Sequence, residues 1–197
     1  MFNQREEPKT VKLIDSDVID NLVRTLLFDS TDGDDKILNN RLLELHKYLL
    51  GVSKSKNKSQ EVGILWDIIS NNYVLLIGSE NSIDMYSDDK ARYLLNNTIC
   101  CSLVFLHNHP KCSSFSYKDF DTFCSTSNIL AMTAVCNDGR IHIMKKLIPY
   151  QFNGGSILFE YNKKHDETDK GMPYIFKNHS KLGLLYRCSV TRVQKGK

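Results

Sequence analysis

The stretch Cys101-Ser-Leu-Val-Phe-Leu106-His107-Asn108-His109-Pro110-Lys-Cys-Ser-Ser-Phe-Ser116-Tyr-Lys-Asp119 decides how this chain is read. Its opening residues are a short apolar run of the kind that fills a buried strand. Side chains alternate faces along a strand, so His107 and His109 leave its end on one side and Asn108 on the other. Pro110 has no N–H to offer a ladder and stops the strand. Beyond the loop 111–115, Ser116 and Asp119 have the spacing of a helix N-cap and its third residue, which opens a helix to about residue 124. Asp119 on that first turn faces back toward the strand end. Two neutral imidazoles and one carboxylate, with a fourth position left to water, are the ligand set of a catalytic zinc site.

His107-x-His109-Pro110 with Ser116-x-x-Asp119 resembles the signature of the JAB/MPN metallopeptidases, also called JAMM proteins. That family includes deubiquitinating isopeptidases, and bacterial RadC-like proteins share its fold. The resemblance implies Zn2+ held by His107, His109 and Asp119. It also implies that Ser116 supports the oxygen on which negative charge develops, and that an upstream glutamate is the general base. The spacing departs from the family at one point. Most members place seven residues between the second histidine and the serine, whereas this chain has the six residues 110–115. The shorter loop resembles a bacterial and phage-associated branch in which His-Asn-His-Pro is followed by Ser-Ser-Phe-Ser.

Glu61 is the expected base. It opens Glu61-Val-Gly-Ile-Leu-Trp-Asp67 directly after the polar stretch 53–60, and Gly63 matches the glycine that accompanies the family's glutamate. A carboxylate beside the attacking water takes its proton and returns it to the leaving amine, typically worth ~10²–10⁴-fold. Glu80 is the runner-up, in the turn-like segment Gly78-Ser-Glu-Asn-Ser82, which reads better as a hairpin connection.

The remaining polar residues have plainer readings. Asp121 lies two positions past Asp119, on another helical face, and reads as solvated. His142 alternates with Ile141 and Ile143, which places it exposed on the far face of a strand, and His46, His165 and His179 read as surface residues. The six cysteines contain no Cys-x-x-Cys pair. Cys100 and Cys101 fall in the strand before the histidines, Cys124 in the following helix, Cys136 in a strand and Cys188 near the end; reduced, mostly buried thiols are expected. Cys112 stands apart, inside the loop between ligands. A thiolate ligand or a Cys-His protease competes there with a plain connecting loop.

With 197 residues, 41% hydrophobic and 25% charged, the chain can bury one good core and a small appendage. A net charge of +3 is too small to argue for nucleic acid. The Lys-rich stretch 54–58 and the tail 187–197 read as solvated segments. No run approaches the ~20 apolar residues of a membrane span, and residues 1–7 lack an apolar signal core, so a cytoplasmic protein without a membrane partner is expected.

Three regions follow along the chain. Residues 1–59 form a helical N-terminal extension, with helices expected over 16–28 and 37–50 from apolar residues at helical spacing. The acidic turn 29–35 between them hints at calcium but lacks the closing glutamate of a twelve-residue loop, so it reads as solvated. Residues 60–150 form the core: a hairpin of strands 61–69 and 73–77, a helix over 87–98, the histidine strand, the Ser116 helix, and a second hairpin of 129–136 and 140–146 across Asn137-Asp-Gly139. Residues 151–197 form a helical C-terminal extension, with a helix around 157–161, a break at Gly171-Met-Pro173 and a shorter helical piece through 186. The fold class is α/β, a mixed sheet sandwiched by helices, and the resemblance implies the JAB/MPN-like, cytidine-deaminase-like arrangement. The site then lies at a strand end over a helix N-terminus, where backbone donors favour anionic chemistry. The expected function is a zinc-dependent metallopeptidase or isopeptidase hydrolysing amide bonds of a protein or peptide, ubiquitin-like conjugates among them. The alternative is a non-catalytic JAB/MPN-fold or RadC-like interaction module.

Overall fold

The computed structural model describes residues 11–29, 33–168 and 171–189. Residues 1–7 lie outside them, as do parts of the turn 29–35 and of the tail 187–197. The described chain forms α1 (Ser16–Asp20), α2 (Gly33–Lys56), β1 (Val62–Asp67), β2 (Tyr73–Ile77), α3 (Asp89–Asn97), β3 (Leu103–His109), α4 (Tyr117–Ser125), β4 (Ile129–Cys136), β5 (Ile141–Lys146), α5 (Gly154–Thr168), α6 (Gly171–Asn178) and β6 (Leu184–Ser189). The strands make one sheet in the order β2-β1-β3-β4-β5-β6. Only β3 and β4 run parallel, joined by α4, and every other neighbouring pair is antiparallel. A mixed α/β sheet is therefore present, as expected.

Helices cover both faces. On one side Leu42, Leu45, Leu49 and Leu50 of α2 pack on Ile64, Trp66, Val104, Leu106, Val135 and Ile143. On the other, Ala91 and Leu95 of α3, Phe120 and Phe123 of α4, Ile157 of α5 and Ile175 of α6 pack on Leu65, Phe105, Met132 and Met144. All seven residues of β3 are buried, because it is central and covered on both faces.

Several elements differ from the sequence reading, each for a local reason. The helix expected over 16–28 stops at Asp20, and the segment beyond it runs on without helix. There the Asn39 side chain of α2 accepts from the backbone N–H groups of Leu27 and Phe28 and donates to the Phe28 carbonyl, which replaces the hydrogen bonds a helix would supply. Conversely, α2 extends past residue 50 into the Lys-rich stretch, with Asp34 and Asp35 in its first turn and Lys54 and Lys56 in its last, charges that favour the helix dipole. Residues 184–186, expected to end a helical piece, begin β6 instead. Cys100 and Cys101 precede β3, and Cys100 and Cys188 are exposed rather than buried.

His46, expected at the surface, is buried in α2, and its Nε2 meets Thr133 Oγ1 of β4 at 2.8 Å. Burial, with a smaller push from His107, lowers its pKa to about 3. The unfolded imidazole titrates near 6.5, so between about pH 6.5 and 3 the unfolded chain binds a proton that the folded chain does not. Stability from this group is complete above that window and is lost as pH falls through it. A His46→Gln variant should show a denaturation free energy that falls less steeply with acid, by up to about 1.4 kcal/mol per pH unit, in urea melts from pH 7 to 4. Identical slopes in the two proteins would refute a neutral buried His46.

Candidate metal centre

The strand end is built as the alternation requires. β3 continues through His109, and its odd positions Leu103, Phe105, His107 and His109 share the face covered by α4. Pro110 ends the strand, and its carbonyl accepts from the Lys12 N–H at 2.9 Å. Gly63 of β1 lies opposite His107 in the sheet; a Cβ there would stand 3.0 Å from both Ile83 Cδ1 and Phe105 Cε2, so the glycine leaves room for the side chains behind the site.

The third donor arrives on α4. Ser116 caps this helix, its hydroxyl accepting from the Asp119 N–H at 3.2 Å. Asp119 Oδ2 in return accepts from the Ser116 N–H and from the Ser116 hydroxyl, both at 2.7 Å. This capping box aims the carboxylate at the histidines. Asp119 Oδ1 lies 3.4 Å from His107 Nε2, Asp119 Oδ2 lies 3.4 Å from His109 Nε2, and the two Nε2 atoms are 2.8 Å apart. One donor atom from each residue falls within 4.8 Å of the others, and among the described residues this is the one such His, Cys, Asp or Glu group.

The arrangement fits a cation. The Ser113 carbonyl accepts from His109 Nδ1 at 2.9 Å, and because a carbonyl only accepts, Nδ1 carries the proton and Nε2 presents its lone pair. His107 Nδ1 is buried with no hydrogen-bond partner. Without a cation, a bare Nδ1 lone pair is buried unpaired, two Nε2 lone pairs face each other beside a carboxylate, or a proton sits on His109 Nε2 between the rings. Ligand atoms around one tetrahedral zinc, at bonds of about 2.0–2.1 Å, stand roughly 3.3 Å apart. Each imidazole stands near that distance from a different carboxylate oxygen, His107 from Oδ1 and His109 from Oδ2, and the Nε2–Nε2 separation is tighter.

Comparison of the chain with family models, curated proteins and solved structures found no match. The site's meaning therefore rests on its own chemistry.

That chemistry is strongly polarised. Burial drops the His107 pKa to about 4 despite the nearby Asp119 charge, keeping the ring neutral. Burial also opposes charge on His109, but the hydrogen bond and charge of Asp119, with the Ser113 carbonyl, outweigh it and raise its pKa. Burial resists ionisation of Asp119 too, yet His107, His109 and the Ser116 hydroxyl hold its carboxyl well below the usual range. Glu61 behaves in the opposite way: burial, aided by the Asp119 charge and opposed by His109, lifts it to about 7.

A cavity of about 360 Å³ joins these groups. Glu61, Ser116, His107, His109 and Asp119 line it, over an apolar floor that includes Phe105 and Met132. Glu61 stands just before β1, its N–H bonded to the Ser79 carbonyl at 2.9 Å. Glu80 also lines the cavity but is paired with Lys111 at 3.0 Å, across the two loops that frame it. Asp121 turns away and accepts from the Ser125 hydroxyl at 3.4 Å. The Cys112 thiol is not among the donors; its pKa is lowered to about 7, chiefly by the Cys136 thiol.

His142 corrects an expectation of exposure. It is buried, its Nδ1 2.9 Å from the Tyr186 hydroxyl, because β6 covers β5 and brings Tyr186 over it. Burial and the His109 charge lower its pKa to about 4. Two supporting groups went unread in the sequence: the Ser113 carbonyl and the Asn108 carboxamide. Asn108 lies buried on the opposite face, where its Oδ1 accepts from the Val62 N–H at 2.7 Å and its amide donates to Ser53 Oγ, the Gln60 carbonyl and Asn137 Oδ1. Its place between two ligand positions of one strand was the available signal.

Two outcomes are expected. After zinc loading and desalting, wild type should keep about one equivalent by plasma mass spectrometry, and Asp119→Ala should bind at least about 100-fold more weakly; equal retention would remove Asp119 from the ligand set. Asn108→Ala leaves a buried Val62 N–H and its neighbours without partners, and should cost about 2–4 kcal/mol in chemical denaturation. A loss under about 0.5 kcal/mol would show that the carboxamide is dispensable.

Proposed function

We propose that this chain is a zinc-dependent hydrolase of amide bonds, a peptidase or isopeptidase of the kind the JAB/MPN resemblance implies, acting on a protein or peptide with ubiquitin-like conjugates as one class. One observation carries the reading: three converging donor atoms and a carboxyl of raised pKa line the same cavity. Zinc held by His107, His109 and Asp119 would supply Lewis-acid polarisation of the scissile carbonyl and would bring the pKa of a water to about 7.

The chain's own residues supply the rest. Glu61, lifted to about 7, is matched to accept a proton from the attacking water and to return it to the leaving amine. Asp119 and Glu61 divide the work of two carboxyls, one held ionised beside two histidines and the other left able to carry a proton. The Ser116 hydroxyl, bonded to Asp119, lines the cavity where it can support an oxyanion. The Ser113 carbonyl keeps the His109 lone pair directed at the cluster.

Among the described residues no helix is long and apolar enough to cross a membrane. A cytoplasmic site of action accompanies the proposal.

Glu61→Gln tests it directly. The variant should hold zinc as wild type does while kcat on isopeptide-linked ubiquitin chains or ubiquitin-like fusions falls by about 10²-fold or more. Unchanged turnover in that variant would sink the assignment of the base.

A further inference from the structure

The loop that carries Ser113 also holds a thiol beside a second one. The His109 carbonyl accepts from the Cys112 N–H at 3.1 Å and from the Asn137 N–H at 3.3 Å, which lays the backbone of Cys112 alongside the end of β4. There the Cys136 thiol donates to the Ser113 carbonyl at 3.5 Å, on the residue next to Cys112. The two thiols are near enough for each to shift the other, Cys136 lowering the pKa of Cys112 and Cys112 raising that of Cys136. Cys136 is fully buried, and Cys112 is partly open to solvent. Arg140 donates to the Cys112 carbonyl at 2.6 Å and holds the loop against the β4–β5 turn.

We infer that Cys112 and Cys136 are a reversible thiol–disulfide pair, oxidised by a hydroperoxide, that sets how firmly the loop holds His109. The consequence for His109 rests on the metal reading above, whereas the sulfur chemistry does not. In the first step the accessible Cys112 sulfur attacks the hydroperoxide: an S–O bond forms, the O–O bond breaks, and water or an alcohol leaves with the thiol proton. In the second, the Cys136 sulfur attacks the sulfenic sulfur: an S–S bond forms, the S–O bond breaks, and the oxygen leaves as water with the Cys136 proton. Two thiols lose two electrons and the hydroperoxide gains them. A disulfide requires its sulfurs about 2.0 Å apart, so closure draws the loop toward β4. It also removes the S–H that the Ser113 carbonyl accepts, and that same carbonyl orients the His109 ring.

The test treats purified protein, with and without zinc, with tert-butyl hydroperoxide, followed by alkylation and trypsin. Cleavage after Lys111, Lys118 and Arg140 places Cys112 in peptide 112–118 and Cys136 in peptide 119–140. In a Cys124→Ser background Cys136 is the sole cysteine of its peptide. The expected result is a linked 112–118/119–140 pair that dithiothreitol releases and Cys112→Ser abolishes. Zinc affinity of the oxidised protein, by competition with a chromogenic chelator, should be about 10-fold or more weaker than that of the reduced protein. Separate alkylation of both thiols, pairing of Cys112 with another cysteine, or equal zinc affinity in the two redox states would overturn the inference. A linked peptide in a protein that binds no zinc in either state would sink the metal reading and support the pair.

Discussion

The site depends on one buried carboxamide. Asn108 stands between His107 and His109, and strand alternation sends it to the opposite face of the sheet. There its four hydrogen bonds tie β3 to the start of β1, to Ser53 near the end of α2, to the Gln60 carbonyl and to Asn137 of the β4–β5 turn. Asn137 extends the tie, donating to the Lys12 and Ser59 carbonyls at 2.7 and 2.9 Å. A buried amide that lacks its partners is expensive, and one with all of them tolerates almost no displacement. A slip of β3 by one residue would carry Asn108 into the metal side and both imidazoles into the α2 core. The register that presents His107 and His109 is thus enforced from behind, by atoms that touch no ligand.

The front of the site is governed by burial acting on unlike groups. His107 is neutral because a charged ring has no solvent, and Asp119 is ionised because two rings and a hydroxyl compensate its burial. Glu61 has less compensation, so the same burial pushes it toward protonation. One cavity thereby separates a carboxylate suited to bind a cation from a carboxyl suited to move a proton.

What the sequence disclosed follows the range of each interaction. The convergence of His107, His109 and Asp119, β3, the capped α4 and the hairpin at Asn137-Asp-Gly139 are set by residues within a few positions of one another, and all are legible. β6 was not: Leu184-Leu-Tyr-Arg-Cys-Ser189 alternates poorly, and its strand identity comes from pairing with β5, about forty residues earlier. The burial of His142 was hidden with it. The segment 21–28 has apolar residues at helical spacing, while the Asn39 carboxamide that takes up the hydrogen bonds of Leu27 and Phe28 lies in another element. The burial of His46 was illegible for a similar reason, since Thr133, its partner, belongs to the distant β4.

The C-terminal segment, read as an extension, is part of what positions Asp119. Tyr161 of α5 stacks on Tyr117, the first residue of α4, with centroids 4.8 Å apart, and also lies against Phe120 at 5.8 Å. Two glycines permit that packing. A Cβ on Gly154 would fall 2.0 Å from the Cys124 carbonyl oxygen, and one on Gly171 would fall 2.5 Å from the Tyr161 ring. At the first, the start of α5 presses on the end of α4; at the second, the start of α6 presses on the tyrosine that braces the α4 N-terminus. Helix α4 is therefore held at both ends by residues after 150, and its first turn carries Ser116 and Asp119 at a fixed distance from β3. The His107–His109–Asp119 group draws two donors from a strand locked by Asn108 and the third from a helix locked by the C-terminal segment, so its geometry is a property of the whole described chain rather than of the thirteen residues that announce it.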